Sequence, residues 1–112
     1  MKAELSQHGP IECGIEATTE FDTTYFGGIY SQYLKSPELN HAISVVGYGI
    51  SDEGEEYWIG RNSWGTYWGE YGFFRIKMYS DNLGIETDCT AAIPSYQPSI
   101  PNQMTILPTL IQ

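Results

Sequence analysis

The chain is poor in basic residues and has no long apolar run. It carries 5 Lys and Arg against 14 Asp and Glu, which gives a net charge of −9 over 112 residues. No basic stripe is present, and such a stripe is the usual electrostatic footprint of a nucleic-acid-binding protein. An acidic surface is also repelled by anionic membrane faces, and no apolar run approaches the roughly 20 residues of a membrane-spanning helix. We therefore expect neither nucleic acid nor a membrane as a partner.

Several motifs of known chemistry are also missing from the sequence. It has no C-x-x-C pair, no Cys/His cluster with zinc-ligand spacing and no G-x-S-x-G elbow. The acidic stretch "SDEGEE" lacks the alternating oxygen ligands of a calcium loop, so we expect no metal and no cofactor. The first residues, "MKAELSQHGP", lack the apolar core of a signal peptide. This leaves two alternatives: the protein is cytosolic, or the chain does not start at the protein's true beginning.

The sequence holds only two cysteines, Cys13 and Cys89. Two residues of this type can be two buried free thiols, one disulfide, or one nucleophile and one bystander. A bridge would close a large loop and contribute about 4 kcal/mol on the chain-entropy model. The residues alone leave all three alternatives open.

What the chain does contain favours a single sheet-rich domain. It is 41% apolar and 14% aromatic and has 12 glycines, a combination typical of strands and tight turns. Residues 1–8 predict a short helix that Gly9 ends. Residues 10–21 alternate loosely as a half-buried strand, with Ile11, Cys13 and Ile15 on one face. Residues 22–40 predict an irregular loop, and further strands are expected at 72–78 and 85–94. We expect prolines to make 94–112 an extended tail.

The clearest predicted element is a hairpin with strands at 41–48 and 56–62, joined by an acidic, glycine-bearing loop. Pairing the strands symmetrically about this loop places Val45 opposite Trp58 and His41 opposite Asn62. Directly opposed side chains of antiparallel strands lie about 5 Å apart. The hairpin therefore predicts contact between His41 and Asn62, and a bulge near its glycines would shift this register by one residue.

A histidine held by an asparagine suits acid/base chemistry. One imidazole nitrogen must face a reacting partner while an acceptor holds the other, and the carboxamide oxygen of Asn62 can fix the tautomer of His41 without adding charge. The alternative is a structural polar pair, which is the commoner use of such residues. Aromatic residues close to Asn62, such as Trp68, would exclude water from the hydrogen bond and strengthen it.

The same segments resemble a known family. "NHAISVVGYG" followed by "EYWIGRNSWGTYWGEYGFFRI" is similar to the part of the papain-family cysteine peptidases that carries their catalytic histidine and asparagine. "MKAEL", "HGPIECGI", "GGIY", "ISD" and "IETDCT" look most like the cathepsin X (cathepsin Z) branch. The resemblance covers residues 1–93 and implies an α+β fold: an antiparallel sheet or open barrel with one short N-terminal helix, the C-terminal lobe of a two-lobed peptidase.

The resemblance also implies roles for individual residues. His41 would be the acid/base, Asn62 would orient it, and Trp64 would shield their hydrogen bond and border the leaving-group side of the cleft. The backbone around Asn40 would line the substrate channel. Cys13 and Cys89 match positions that form a structural disulfide in the cathepsin X branch.

One part of the family's pattern is absent. Its nucleophile lies in a Cys-Gly-Ser-Cys-Trp stretch at the start of a long helix, and no such stretch occurs in these residues. The resemblance thus implies a partner lobe, helical and bearing the cysteine, together with peptide substrates and a lysosomal or secreted location. Without that lobe we expect the chain to be inactive. The alternatives are a silent relative that binds peptides or partners, and a sheet-rich module whose His–Asn pair is structural.

Overall fold

The computed structural model describes residues 1–93 and residue 95. The prediction of an extended tail at 94–112 lies outside the described residues, apart from Ser95. The elements in chain order are α1 (Lys2–His8), β1 (Ile11–Ile15), α2 (Thr19–Thr24), β2 (Ile29–Tyr30), β3 (His41–Ile50), β4 (Glu56–Arg61), β5 (Phe73–Lys77), a 3-10 turn (Asn82–Gly84) and β6 (Cys89–Thr90). No helix among these elements is long and apolar enough to cross a membrane.

The described strands form one six-stranded sheet in the order β2-β5-β4-β3-β1-β6. Four of the five neighbouring pairs are antiparallel, as predicted, but β2 runs parallel to β5. The two-residue strand β2 lies in the stretch 22–40 that the sequence predicts as irregular. Its parallel direction makes the sheet mixed at this one pair, while the sheet-rich architecture is confirmed.

The hairpin forms where predicted, but the predicted pairing register of its strands is wrong. Val45 lies opposite Gly60, and Tyr48 lies opposite Trp58. β3 extends to Ile50, two residues further into the loop than predicted, and a bulge between Val45 and Gly47 adds one residue to it. Gly49 leaves room for the Tyr57 ring on the opposite strand, because a Cβ on Gly49 would lie 2.7 Å from the Tyr57 hydroxyl oxygen.

One face of the sheet carries the core, at the centre of which is Phe21 from α2. Its ring packs edge-on against Phe74 at 5.1 Å and Trp68 at 5.0 Å. Helix α2 begins within the stretch 10–21 that the sequence predicts as strand, so that prediction is wrong beyond Ile15. A signal for the helix was present: Thr18 caps it by accepting the Phe21 N–H, and acidic residues occupy the first turn. Helix α2 thereby packs the Phe21 ring against Trp64 and Trp68, which lie in the segment that follows Asn62.

The chain after β5 differs from the predicted strand at 85–94. The structure has a 3-10 turn at Asn82–Gly84 and only Cys89–Thr90 as strand. Leu83 sits in this turn with a left-handed backbone, φ 54°, and is fully buried. The first residues of the predicted strand continue this turn: Ile85 has helical backbone angles, and the Thr87 N–H donates to the Gly84 carbonyl, whereas strands require extended φ and ψ angles.

The two cysteines form a disulfide between β1 and β6. Cys13 lies directly opposite Cys89 in the sheet, and their Cα atoms are 4.1 Å apart. The bridge spans 76 residues of sequence and ties the short edge strand β6 to the sheet. This confirms the disulfide that the family resemblance implied, and it removes both cysteines of the sequence as candidate nucleophiles.

Candidate active site

His41 and Asn62 meet at the ends of two neighbouring strands. His41 is the first residue of β3 and pairs with Ile15 of β1, while Asn62 follows directly after β4. The last ladder pair of the hairpin is Ser44 with Arg61, so Asn62 lies beyond the ladder and is not opposed to His41 as predicted. Their side chains nevertheless touch, because both project at the same end of the sheet.

The contact is a hydrogen bond of 2.8 Å between Nε2 of His41 and Oδ1 of Asn62. The backbone N–H of Ser63 also donates to this oxygen, at 2.8 Å, which fixes the carboxamide with its oxygen toward the imidazole. A carbonyl oxygen only accepts hydrogen bonds, so Nε2 carries the proton. In neutral His41 this leaves the lone pair on Nδ1, for which the described residues provide no hydrogen-bond partner.

The Trp64 ring covers the imidazole. The two rings stack with centroids 4.9 Å apart and planes 23° from parallel. Trp64 is itself packed against Trp68 at 5.1 Å and Phe21 at 6.1 Å, so its position depends on the core. Asn62 is only 8% exposed under this cover. An apolar lid over a hydrogen bond lowers the local dielectric and strengthens the bond.

The turn after Trp64 is anchored from the side by an ion pair. The guanidinium of Arg75 donates to both carboxylate oxygens of Glu70, at 3.0 and 2.8 Å, and this contact holds the pKa of the Glu70 carboxyl below its ordinary value. Glu70 also accepts the N–H of Gly28. Burial raises the pKa of Tyr25 to about 12, and its hydroxyl donates to the Gly28 carbonyl. The loop around Gly28 and the turn are therefore held together.

Asn40, the predicted substrate-channel residue, is exposed and structurally engaged. Its N–H donates to the carbonyl of Ile15 at 3.1 Å, and its Oδ1 accepts the N–H of Ala17 at 2.9 Å. These bonds join the segment before β3 to the end of β1 and so fix the start of β3, where His41 lies. The structure thus brings His41, Asn62 and Trp64 together with Asn40 next to them, while the roles assigned to these residues stay predictions.

Two features of the site have no clear sequence signal. The Ser63 backbone donor depends on a local turn, and Nδ2 of Asn62 is buried without a hydrogen-bond partner among the described residues. A buried donor left unsatisfied costs about 1–3 kcal/mol. Asn62 is therefore held by its oxygen alone. Among residues 1–93 and 95, no group of three His, Cys, Asp or Glu side chains is placed to hold a metal ion.

Comparison with known proteins places these motifs in a family. The model of the papain family cysteine proteases matches residues 1–93. Cathepsin Z of Onchocerca volvulus is 52% identical over 102 residues, 84% of this chain and 33% of that protein. A cathepsin L-like peptidase of Aedes aegypti is 40% identical over 89 residues, 78% of this chain and 26% of that protein. The chain thus spans about a third or less of the length of these curated relatives.

A solved structure shows the same fold. The bromelain protease from Ananas comosus, in complex with the E64 inhibitor, superposes with a TM-score of 0.71 at 34% sequence identity, covering 80% of this chain and 42% of that one. The sheet-rich architecture and the His41–Asn62 hydrogen bond are thus found in a chain whose sequence and fold both match one group of enzymes. The chain belongs to the papain family of cysteine peptidases.

Proposed function

We propose that this chain is the acid/base half of a cysteine peptidase of the cathepsin Z type. His41 is the general acid/base, Asn62 orients it and Trp64 shields the bond between them. The supporting observation is the 2.8 Å bond from Nε2 of His41 to Asn62, because it directs the basic Nδ1 away from its holder. The nucleophilic thiol comes from a helical lobe outside these residues, since both cysteines of the chain are joined in a disulfide.

The chemistry follows from this arrangement. Nδ1 of His41 takes the proton of the incoming thiol, which gives a thiolate–imidazolium pair. The thiolate attacks the peptide carbonyl, and the imidazolium then gives its proton to the leaving amine as the acyl-enzyme forms. Water, deprotonated by the same nitrogen, hydrolyses the thioester. Asn62 keeps its bond to Nε2–H throughout, so the ring plane and tautomer are the same in both half-reactions.

Substrate contacts and location complete the proposal. A peptide or protein substrate binds along the edge formed by Asn40 and Trp64, with the leaving-group side next to the Trp64 ring. The exposed position of Asn40 beside His41 supports this placement. A lysosomal or secreted location agrees with the Cys13–Cys89 disulfide, because such bonds persist in oxidising compartments.

A second candidate function is a catalytically silent module that binds peptides or partner proteins. The bonded state of both cysteines favours it, because the chain by itself has no thiol. In this function the His41–Asn62 pair would be a structural remnant. The two functions differ in one measurable respect: only the first gives turnover when a thiol-bearing lobe is supplied.

Reconstitution tests the proposal. The chain is mixed with a polypeptide that carries the cysteine-bearing part of the Onchocerca volvulus cathepsin Z, and hydrolysis of a fluorogenic peptide is measured. We expect no turnover from the chain alone and turnover from the complex. His41→Ala should lower kcat by about 10²–10⁴-fold, the usual contribution of general acid/base catalysis. His8→Ala is the matched control and should leave kcat unchanged.

Two results would contradict the proposal. A complex that forms but hydrolyses nothing favours the silent module. Turnover by the chain alone that survives replacement of both Cys13 and Cys89 by serine would refute the thiol mechanism altogether.

A further inference from the structure

The segment before β3 folds back over β1. The ladder pairs Gly14 of β1 with Ala42 of β3, yet the side chain that approaches Gly14 is Leu39. A Cβ on Gly14 would lie 3.4 Å from the Leu39 Cβ and 3.5 Å from its Cδ1. In an extended strand Leu39 would lie about 10 Å from Ala42. The chain therefore turns back between these two residues, and Leu39 packs against the backbone of Gly14.

Gly84 of the 3-10 turn forms the second wall around Leu39. A Cβ on Gly84 would lie 2.7 Å from the Leu39 Cδ2 and 3.0 Å from the Cβ of Pro37. Carbon atoms pack at about 3.5–4.0 Å, so a side chain at position 84 would displace Leu39. Two glycines from separate elements thus leave room for one leucine, and we call this place the glycine pocket (Gly14 and Gly84).

The residue in the glycine pocket precedes His41 by two positions. Asn40, between them, donates its N–H to the Ile15 carbonyl at 3.1 Å, and Ile15 is the ladder partner of His41. The ends of elements open with less free energy than their centres, and packing of the adjoining chain opposes such opening. The direction in which the backbone enters His41 therefore depends on how Leu39 is packed.

We propose that Leu39, held in the glycine pocket, is a positioning residue for His41. It acts through the backbone of residues 39–41, which sets the imidazole at hydrogen-bond distance from Asn62. The catalytic consequence rests on the proposed acid/base role of His41. The structural consequence, the strength of the His41–Asn62 bond, is measured without turnover, so the positioning role and the proposed function can fail separately.

Exchanging side-chain volume between positions 14 and 39 tests the proposal. Gly14 is the glycine to change, because Gly84 has a left-handed backbone, φ 75°, that strains any side chain. Gly14→Val places methyl groups where Leu39 lies, and Leu39→Ala empties the pocket without adding an atom. Each should lower the ratio of the Nε2–H to the Nδ1–H tautomer of His41 by about threefold or more, a part of the free energy of one hydrogen bond. Nitrogen-detected NMR measures the ratio.

The double variant Gly14→Val/Leu39→Ala has as many side-chain carbon atoms as the parent chain. It should restore the tautomer ratio, because replacements that conserve volume are tolerated best in packed sites. Thermal unfolding shows which variants are folded. Leu39→Ala carries the test where Gly14→Val is too crowded to fold.

Gly47→Val is the matched control. Gly47 lies in β3 beyond the bulge, and a Cβ there would lie 3.5 Å from the Ile59 Cδ1. The same replacement thus crowds an aliphatic side chain about as closely as it does at Gly14, but away from the segment that enters His41. Gly47→Val should lower the melting temperature as Gly14→Val does and leave the His41 tautomer ratio unchanged.

Turnover in the reconstituted complex adds a catalytic readout. Gly14→Val and Leu39→Ala should lower kcat by a factor similar to the change in tautomer ratio, because proton transfer depends on the placement of the imidazole. The double variant should recover kcat. A parent complex without turnover would contradict the proposed function, and the NMR comparison would still decide the role of Leu39.

Three results would overturn that role. The first is a His41 tautomer ratio that stays unchanged in folded Gly14→Val and Leu39→Ala chains. The second is a double variant whose ratio is no closer to the parental value than those of the single variants. The third is a shift in Gly47→Val as large as the shift in Gly14→Val, which would reduce the effect to a general loss of stability.

Discussion

Two buried asparagines, Asn62 and Asn82, use the same side chain in opposite ways. Asn82 is 1% exposed and is satisfied at both ends: its Nδ2 donates to the carbonyl of Lys77 at 2.9 Å, and its Oδ1 accepts the hydroxyl of Ser31. Asn62 is 8% exposed and uses only its oxygen, which His41 and the Ser63 N–H share. Its Nδ2 has no partner in the described part of the chain.

The difference distinguishes a buried polar side chain that stabilises the fold from one that positions a neighbouring side chain. A satisfied buried amide stabilises a loop, here the 3-10 turn at Asn82–Gly84, because losing either partner leaves a polar atom stranded. The Asn62 amide leaves its N–H donor unpaired and uses its oxygen to accept a hydrogen bond from an imidazole, so it contributes little to the free energy of unfolding. Its value lies in what it does to His41. The two positions should therefore respond differently to the same replacements.

The largest expected effect is at Asn82. Asn82→Asp replaces the Nδ2 donor by a second oxygen, which would face the Lys77 carbonyl, and it places an unpaired charge in the core. We expect the free energy of unfolding at pH 7 to fall by about 3 kcal/mol, measured by urea titration. Asn40→Asp is the matched control. Its exposed side chain only accepts a hydrogen bond, from the Ala17 N–H, so the change should stay within about 0.5 kcal/mol.

An Asn82→Asp variant as stable as the Asn40→Asp control would show that the two buried asparagines do not differ in the way their contacts indicate. The comparison would then reduce to a difference in burial alone.

A smaller effect on stability and a specific effect on the imidazole are expected at Asn62. Asn62→Ala removes the bond to His41 and also removes the unpartnered donor, so the free energy of unfolding should fall by only about 1 kcal/mol. The preference of His41 for the Nε2–H tautomer should weaken by up to about tenfold, the equivalent of one hydrogen bond. Nitrogen-detected NMR of the neutral imidazole measures this ratio directly.

His8 provides an internal reference in the same spectra. Its Nδ1 bonds to Glu4 within α1, so its tautomer ratio should not change in Asn62→Ala. A shift at both histidines would indicate a general perturbation, and no shift at His41 would contradict the orienting role of Asn62.

The sequence predicted much of the site because local pattern and strand pairing both act there. A strand beginning at His41 and a second ending beside Asn62 bring the two side chains to one end of the sheet even when the register is wrong. The sequence predicts that a bulge near the glycines of β3 would shift the register by one residue, and one lies between Val45 and Gly47, but Val45 and Tyr48 pair two and three residues away from their predicted partners. The His41–Asn62 contact forms despite the different register, because side chains at strand ends can reach across a shift of a few residues.

The parts that could not be predicted depend on distant contacts. β2 is two residues long and pairs with β5 across more than 40 residues of sequence, so no local pattern marks it. The turn at Asn82–Gly84 depends on Ser31 and on the burial of Leu83 with a left-handed backbone. A sequence read segment by segment shows neither, because each segment takes its conformation from a partner elsewhere in the chain.

The smallest expected effect on the free energy of unfolding is at Glu70, whose charged side chain is partly exposed. Its bonds to Arg75 and Gly28 hold the turn after Trp64 to the neighbouring loop. Glu70→Gln should lower the free energy of unfolding at pH 7 by no more than about 1 kcal/mol. Arg75 lowers the pKa of Glu70 in the folded chain, so the contribution is fully present above the carboxyl's unfolded-state pKa and is lost as the pH falls through the folded one.

Urea titrations at pH 7 and pH 3 check this dependence. The gap between parent and Glu70→Gln should narrow at the lower pH, because protonation removes the charge that the variant lacks. Glu53→Gln, in the exposed hairpin loop, should show no gap at either pH. A gap for Glu70→Gln that stays constant with pH would mean that the side chain supports the turn through shape and neutral hydrogen bonds, as Asn82 supports its own turn. The role of Glu70 would then resemble that of Asn82, and its negative charge would not contribute to holding the turn.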